Sequence, residues 1–410
     1  MKTVSNVRVL VAASLLWGST CVSAERVDVS AMASNGVAPE VSAKESELPF
    51  REIPNLIGAF IDPAPADRGD GLVVGTLAAK DGKRDMIVEL AQAISGGAHG
   101  RFDSLLIAHR GSLQFESYYL RGRVDLPHPQ ASATKAYLSM AVGRAIQMGY
   151  LTMADLDRPL VGFLTELDPT KFVEGAESIT LHSAMTMSSG LRLSREKRDE
   201  LNESDPSQLK GQGQIQTYLE HSPAISEEDR TFDYKFTDPS MVMQVLDSAV
   251  PGTAKDFIRR EVLEKLGITV YGWLDGHSGL PEGNHSSSMT SRDMMKWGLL
   301  VMNDGRWNGE QLISTAFIER ATNRILHPRA EDIFFVNASV SDPGYGYFWW
   351  QADLKVGNKS YLSRSAQGGG GQYIIVIDEL DLIVVTTGHD RDLRPLRVTA
   401  EKIIPAFVKE

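Results

Sequence analysis

One stretch limits what this chain can be more than any other: Gln130 to Met148, QASATKAYLSMAVGRAIQM. Ser132 is followed three residues later by Lys135, and an apolar helical run continues through Ala136, Leu138, Met140, Ala141, Val142, Ala145 and Ile146. Residues three apart on a helix share one face. The lysine amine therefore reaches the serine hydroxyl by local geometry alone. A serine becomes a strong nucleophile when an adjacent base takes its proton. An amine serves as that base in its uncharged form, which an apolar setting favours over the ammonium. A helix start adds free N–H groups and a dipole that favour negative charge. Nucleophile, base and part of an oxyanion site thus coincide.

The pattern S-x-x-K occurs three times, at Ser132/Lys135, Ser194/Lys197 and Ser207/Lys210. The second and third lie in the polar run LRLSREKRDELNESDPSQLKGQGQ, which keeps a lysine hydrated. Only Lys135 opens a helix apolar enough to bury it.

Residues 1–24 read as an export signal. Lys2 and Arg8 precede the apolar run Val9 to Trp17, and Val22-Ser23-Ala24 fits a small-residue cleavage site. The run is too short for a permanent membrane anchor. Its removal would take the formal charge from −11 to −13 (−11 − 2) and remove the single cysteine, Cys21. Thiol nucleophiles, disulfides and Cys-ligated metals are then excluded. An acidic chain without a Lys/Arg block argues against nucleic acid as partner. The nine histidines show no metal-ligand spacing, and no cofactor motif is present. The pattern predicts no metal and no cofactor, a small-molecule partner and no stable membrane anchor. Oligomeric state is left open.

Residues 25–60 are uneven in composition and read as a partly disordered lead-in. The roughly 350 residues beyond exceed one core and suggest two lobes. An amphipathic helix is expected over 85–97, and a hairpin about Arg110-Gly111 within DSLLIAHRGSLQFESYY. A helix capped by Thr180 is expected to run to Gly190, with His182 on its surface. The charged run 192–230 is either a solvated loop or a lid over the site.

The serine-lysine helix, DRPLVGFLTEL and ITLHSAMTMSSGL, with EVLEKLGITVYGW, SMTSRDMMKWGLLVMNDGRWNGEQLIS, GYGYFWW and AQGGGGQYIIVIDELDLIVV after them, follow one another in a familiar order. Together they resemble the serine β-lactamase and penicillin-binding-protein superfamily. The branch is that of the class C-like serine hydrolases, with esterases, D-aminopeptidases and 6-aminohexanoate-oligomer hydrolases, and the resemblance covers roughly residues 85–405.

The resemblance implies an α+β fold: an antiparallel sheet flanked by helices, over 61–149 and 331–410, and a mainly helical lobe over 150–330. It implies hydrolysis of an ester or amide through an acyl-enzyme on Ser132, with Lys135 as base. It places a catalytic tyrosine at Tyr234, in FDYKFTDPSMVM, where simple packing is the alternative. Phe236 stands where the family carries Asn or Ser, so a polar substrate contact is missing, and Asp238 nearby has no assigned role. The third family motif falls on Gly369-Gly370-Gly371, a close backbone approach to substrate or else a flexible turn. The Gln372 N–H is then the expected second oxyanion donor. Gly369 offers no cation for a β-lactam carboxylate, which predicts weak β-lactamase activity. Trp349 either lines the pocket or packs in the core. A cell-envelope binding protein that keeps the fold without the reaction is the rival reading.

Overall fold

The structure, a computed structural model, describes residues 36–78, 83–203, 205–329, 333 and 335–408. All of these fall in the unit Ala33–Glu410. The expected export signal, 1–24, and the first part of the lead-in, 25–35, lie outside the described residues. Among the described residues no helix is long and apolar enough to cross a membrane.

Along the chain, β1 (Phe60–Asp62) precedes α1 (Lys83–Ser95), the hairpin β2 (Phe102–His109) and β3 (Ser112–Tyr118), and the short β4 (His128–Pro129). A helical stretch follows: α2 (Thr134–Gln147), α3 (Leu181–Met185), α4 (Arg195–Glu203), α5 (Gly213–His221), α6 (Thr237–Ala249) and α7 (Ala254–Phe257). Next come β5 (Gly272–Trp273), β6 (Ser287–Met289), α8 (Ser291–Met302), the hairpin β7 (Arg306–Trp307) and β8 (Glu310–Gln311), and α9 (Thr315–Thr322). The chain then forms β9 (Val340–Tyr345), β10 (Trp350–Val356), β11 (Lys359–Gly368), β12 (Gln372–Ile377), β13 (Leu382–Gly388) and α10 (Pro395–Val398).

Eight of these strands make one sheet in the order β1-β3-β2-β13-β12-β11-β10-β9. Every pair in it is antiparallel. The two-residue turn between β2 and β3 has positive φ at Arg110 (54°) and Gly111 (75°), which suits the strand twist of a tight hairpin. The α+β expectation therefore holds, and the sheet is assembled from both halves of the chain.

The central strands β12 and β13 are buried along their whole length. Such strands read as continuous apolar runs because both faces are covered. On one face lies α8: a Cβ on Gly298 would come within 2.7 Å of Ile383 Cγ2 and 3.0 Å of Ile374 Cγ2. Helix α1 presents Ile87, Leu90, Ala91 and Ile94, a helical stripe, and packs with the C-terminal helical segment. Thus α8, expected within the helical lobe, covers the sheet. Helix α2 sits among helices, with Gly143 close enough to α9 that a Cβ would meet Phe317 Cδ1 at 2.5 Å.

The described part of the lead-in, from residue 36, is held in place by bonds to the chain near Arg123. Val124 N–H donates to Pro39 O at 2.9 Å and Leu56 N–H to Leu120 O at 2.7 Å. The buried Arg123 guanidinium donates to Glu45 at 2.8 Å and to Pro54 O at 3.0 Å. A buried guanidinium needs such acceptors. The segment supplies them and buries Ala38 and Ile53.

Candidate active site

Ser132 sits in a single 3-10 turn, Ala131–Ala133, immediately before α2. Ala131 carries φ of 47°, a left-handed backbone that a non-glycine residue adopts at a cost of the order of 1 kcal/mol. Its neighbours hold it there. Gln130 N–H donates to Ser287 O at 2.8 Å, its amide nitrogen to His128 O at 2.8 Å, and its amide oxygen accepts from Tyr137 OH at 2.7 Å. Thr134 Oγ1 donates to Ala131 O at 2.7 Å. The end of β11 presses on the same turn: a Cβ on Gly368 would lie 2.1 Å from Gln130 O. Only glycine permits that approach.

Lys135, in the first turn of α2, is 4% exposed. Its Nζ is 3.2 Å from Ser132 Oγ and donates to Asn284 O at 2.9 Å. It also lies 4.9 Å from the centroid of the Tyr234 ring. The structure thus brings Ser132, Lys135 and Tyr234 together. Tyr234 is 40% exposed and stacks on Trp350 at 5.7 Å and 30°. The lysine meets the face of its ring, and its hydroxyl has no protein hydrogen-bond partner among the described residues.

Asn284 is a site residue that sequence reasoning missed. Its carbonyl holds the lysine, and its side-chain amide donates to Phe236 O at 3.0 Å. Glu282 in turn accepts from the Asn284 and His285 N–H groups at 2.9 and 2.8 Å. Burial works to raise the Glu282 carboxyl, but these bonds and His285 hold it down at about 2. No residue pattern marks a backbone acceptor 149 positions from the lysine it holds.

Phe236 closes the N-terminus of α6 and packs edge-on against Tyr218 of α5, with ring centroids 5.9 Å apart. It contributes its carbonyl, through Asn284, where the family uses a polar side chain. Arg198 of α4, in the charged run 192–230, lies 5.9 Å from its ring centroid.

Gly369, Gly370 and Gly371 form the turn between β11 and β12. Gly370 and Gly371 have φ of 100° and 113°, conformations that favour glycine, whereas a side chain at Gly369 would meet open space. Gln372 opens β12 opposite Gly368. Its side chain braces the turn, donating to Gly369 O at 2.9 Å and accepting from Gly388 N–H at 2.9 Å. The end of β11 makes the close approach to the serine turn, and β12, which Gln372 opens, also lies beside that turn.

Trp349 does not line the cleft. It is 0% exposed, and its indole N–H is buried without a partner. Adjacent strand residues point to opposite faces, and it is Trp350, opening β10, that stacks on Tyr234. His182 is likewise not a free surface residue, since its Nδ1 lies 2.8 Å from Tyr347 OH. Its helix ends at Met185, followed by Met187 at φ of 58°.

Asp238, in the first turn of α6, is 0% exposed. Oδ1 accepts from Ser189 Oγ at 2.8 Å and Thr237 Oγ1 at 3.1 Å, and Oδ2 is buried without a partner. Burial pushes its carboxyl up to about 6. The folded state then binds the proton more tightly than the unfolded chain, so this group's stabilisation is complete below about pH 4 and is lost as pH rises through about 6. Asp238→Asn is expected to raise stability at pH 7, by up to roughly 3 kcal/mol. The gain should shrink towards pH 4. Urea unfolding of both proteins at pH 4 and pH 7 checks this, and a gain that grows on acidification would contradict it.

Among the described residues, no group of three or more His, Cys, Asp or Glu is placed to hold a metal ion.

The turn that carries Ser132 thus lies against the end of β11, with the buried Lys135 at the start of the helix that follows. The model of the family described as Beta-lactamase matches residues 84–403, and the chain belongs to that family. Among solved structures, a candidate 6-aminohexanoate-dimer hydrolase from Bacillus anthracis is similar at 14% identity and a TM-score of 0.59, covering 92% of this chain and 98% of that one. A penicillin-binding protein homologue from Caulobacter crescentus matches at 14% identity and a TM-score of 0.59, over 82% of this chain and 99% of that one. A class C β-lactamase matches at 15% identity and a TM-score of 0.57, over 82% and 99%. These likenesses are of fold. No curated protein matches the sequence.

Proposed function

We propose that the protein hydrolyses a small ester or amide through an acyl-enzyme on Ser132. The observation that carries this reading is the 3.2 Å contact between the Nζ of the buried Lys135 and Ser132 Oγ. Besides the hydroxyl, the lysine meets a carbonyl and an aromatic face. Among the described residues no carboxylate pairs with it.

Ser132 Oγ attacks the substrate carbonyl carbon while Lys135 Nζ takes the hydroxyl proton. The resulting oxyanion is held by backbone N–H groups at Ser132 and at the end of β11 beside Gly369. The proton passes to the leaving oxygen or nitrogen, through Lys135 or Tyr234, as that bond breaks. Water then attacks the Ser132 ester, giving a proton to Lys135, which passes it to Ser132 Oγ as the ester bond breaks and the acid departs. Phe236 and Gly369 offer no polar or cationic side chain, so β-lactams are poor substrates on this reading.

A fluorophosphonate is expected to phosphonylate Ser132 with loss of fluoride, and so to add the mass of its phosphonyl group to the peptide that carries this serine. Peptide mass spectrometry reads this directly. Absence of any adduct, while small ligands still raise the melting temperature, would favour a non-catalytic binding protein.

A further inference from the structure

A buried carboxylate gathers three chain segments beside the cleft. Asp103, near the start of β2, is fully buried. Its Oδ2 accepts from His128 Nε2–H at 2.9 Å and from His389 Nδ1–H at 2.8 Å, and its Oδ1 accepts from Arg121 N–H at 2.9 Å. Burial works to raise the Asp103 carboxyl, but the bonds from His128 and His389 hold it down at about 2. It is therefore ionised and acts only as an acceptor.

The two histidines lead to the two sides of the cleft. His128, in β4, accepts from the Gln130 amide at 2.8 Å, and Gln130 runs directly into the Ser132 turn. His389 follows Gly388, whose N–H donates to Gln372 Oε1 at 2.9 Å, and precedes Asp390, whose N–H donates to Gly370 O at 3.2 Å. The His389 segment thus braces the glycine turn. The Nε2 of His389 is buried without a partner, so among the described residues the one hydrogen bond of its side chain is that to Asp103.

We propose that Asp103, with His128 and His389, is a positioning clamp that fixes the Ser132 turn against the glycine turn and so aligns the groups that hold the oxyanion. The inference rests on Ser132 being the nucleophile. Oxyanion stabilisation depends on donors held at the right place before the reaction, and a misplacement of 1 Å costs up to about 100-fold in rate.

The test compares variants that keep or lose each donor. In His389→Asn and His128→Gln an amide nitrogen takes the place of the donating ring nitrogen. In His389→Leu and His128→Leu nothing donates. The leucine variants are expected to react with a fluorophosphonate about 10- to 100-fold more slowly, with kcat for an activated ester falling alike and KM changing little. The amide variants should stay near the wild-type rate, while circular dichroism reports folding. Folded leucine variants that react at the wild-type rate, or amide variants that lose as much as the leucines, would overturn the clamp. If a leucine variant does not fold, Asp103→Asn, of the same shape, carries the same expectation. Failure of the wild-type protein to be labelled at Ser132 would overturn the nucleophile and the clamp together, whereas labelled wild type with unaffected variants removes the clamp alone.

Discussion

Ser132→Ala is expected to hydrolyse an activated ester about 10⁴- to 10⁶-fold more slowly than the wild-type protein. The hydroxyl forms the acyl bond on the proposed pathway, and among the described residues no other serine hydroxyl is hydrogen-bonded to a buried lysine. What remains is the rate that water attains against a substrate held by the oxyanion donors. The loss should be one of chemistry and not of folding. Ser132 is partly exposed, and its Oγ makes one side-chain contact, to Lys135. The melting temperature should stay within a few degrees. Steady-state hydrolysis of p-nitrophenyl acetate, corrected for contaminating esterase with an independently purified batch, reads the effect. A variant that keeps a tenth of the wild-type rate would remove Ser132 from the mechanism.

Lys135→Met should be nearly as severe, with a loss of about 10³-fold or more in the rate of acylation. Methionine has close to the same length and leaves the helix intact, but it takes no proton. The serine stays in place, so slow labelling by a fluorophosphonate should persist, in contrast to the alanine at 132. Stability is set by opposing terms. The variant removes a buried amine, which favours the fold. It also leaves Asn284 O without its donor at 2.9 Å, at a cost of about 1–3 kcal/mol. The net change should therefore be small, and thermal unfolding checks it. A methionine variant with wild-type acylation kinetics would show that another group takes the serine proton.

The sequence made these two residues legible because their relation is local: three positions on a helix fix the contact. The Arg110-Gly111 hairpin was legible for the same reason. Residues that depend on contacts between distant segments were not. Asn284 acts through a backbone carbonyl, and Asp103 meets His389 across 286 positions. Neither has a spacing to read. The choice between Trp349 and Trp350 turns on which face of β10 meets the cleft, and two adjacent tryptophans do not reveal that phase. The bonds that hold the described part of the lead-in could not be read from its own composition, because they come from Arg123 and Val124 far along the chain. Helix α8 has its apolar stripe in the sequence, but which lobe receives that stripe depends on where β12 and β13 lie.

Strand β2 finds its neighbour β13 only near the other end of the polypeptide. During synthesis, β2 and the serine helix leave the ribosome long before β11 to β13 exist. Non-local pairing of this kind is slow and leaves apolar edges open while it waits. The proposed site is thus incomplete until the last strands arrive, and a nascent chain released before β13 would be an aggregation-prone fragment without it.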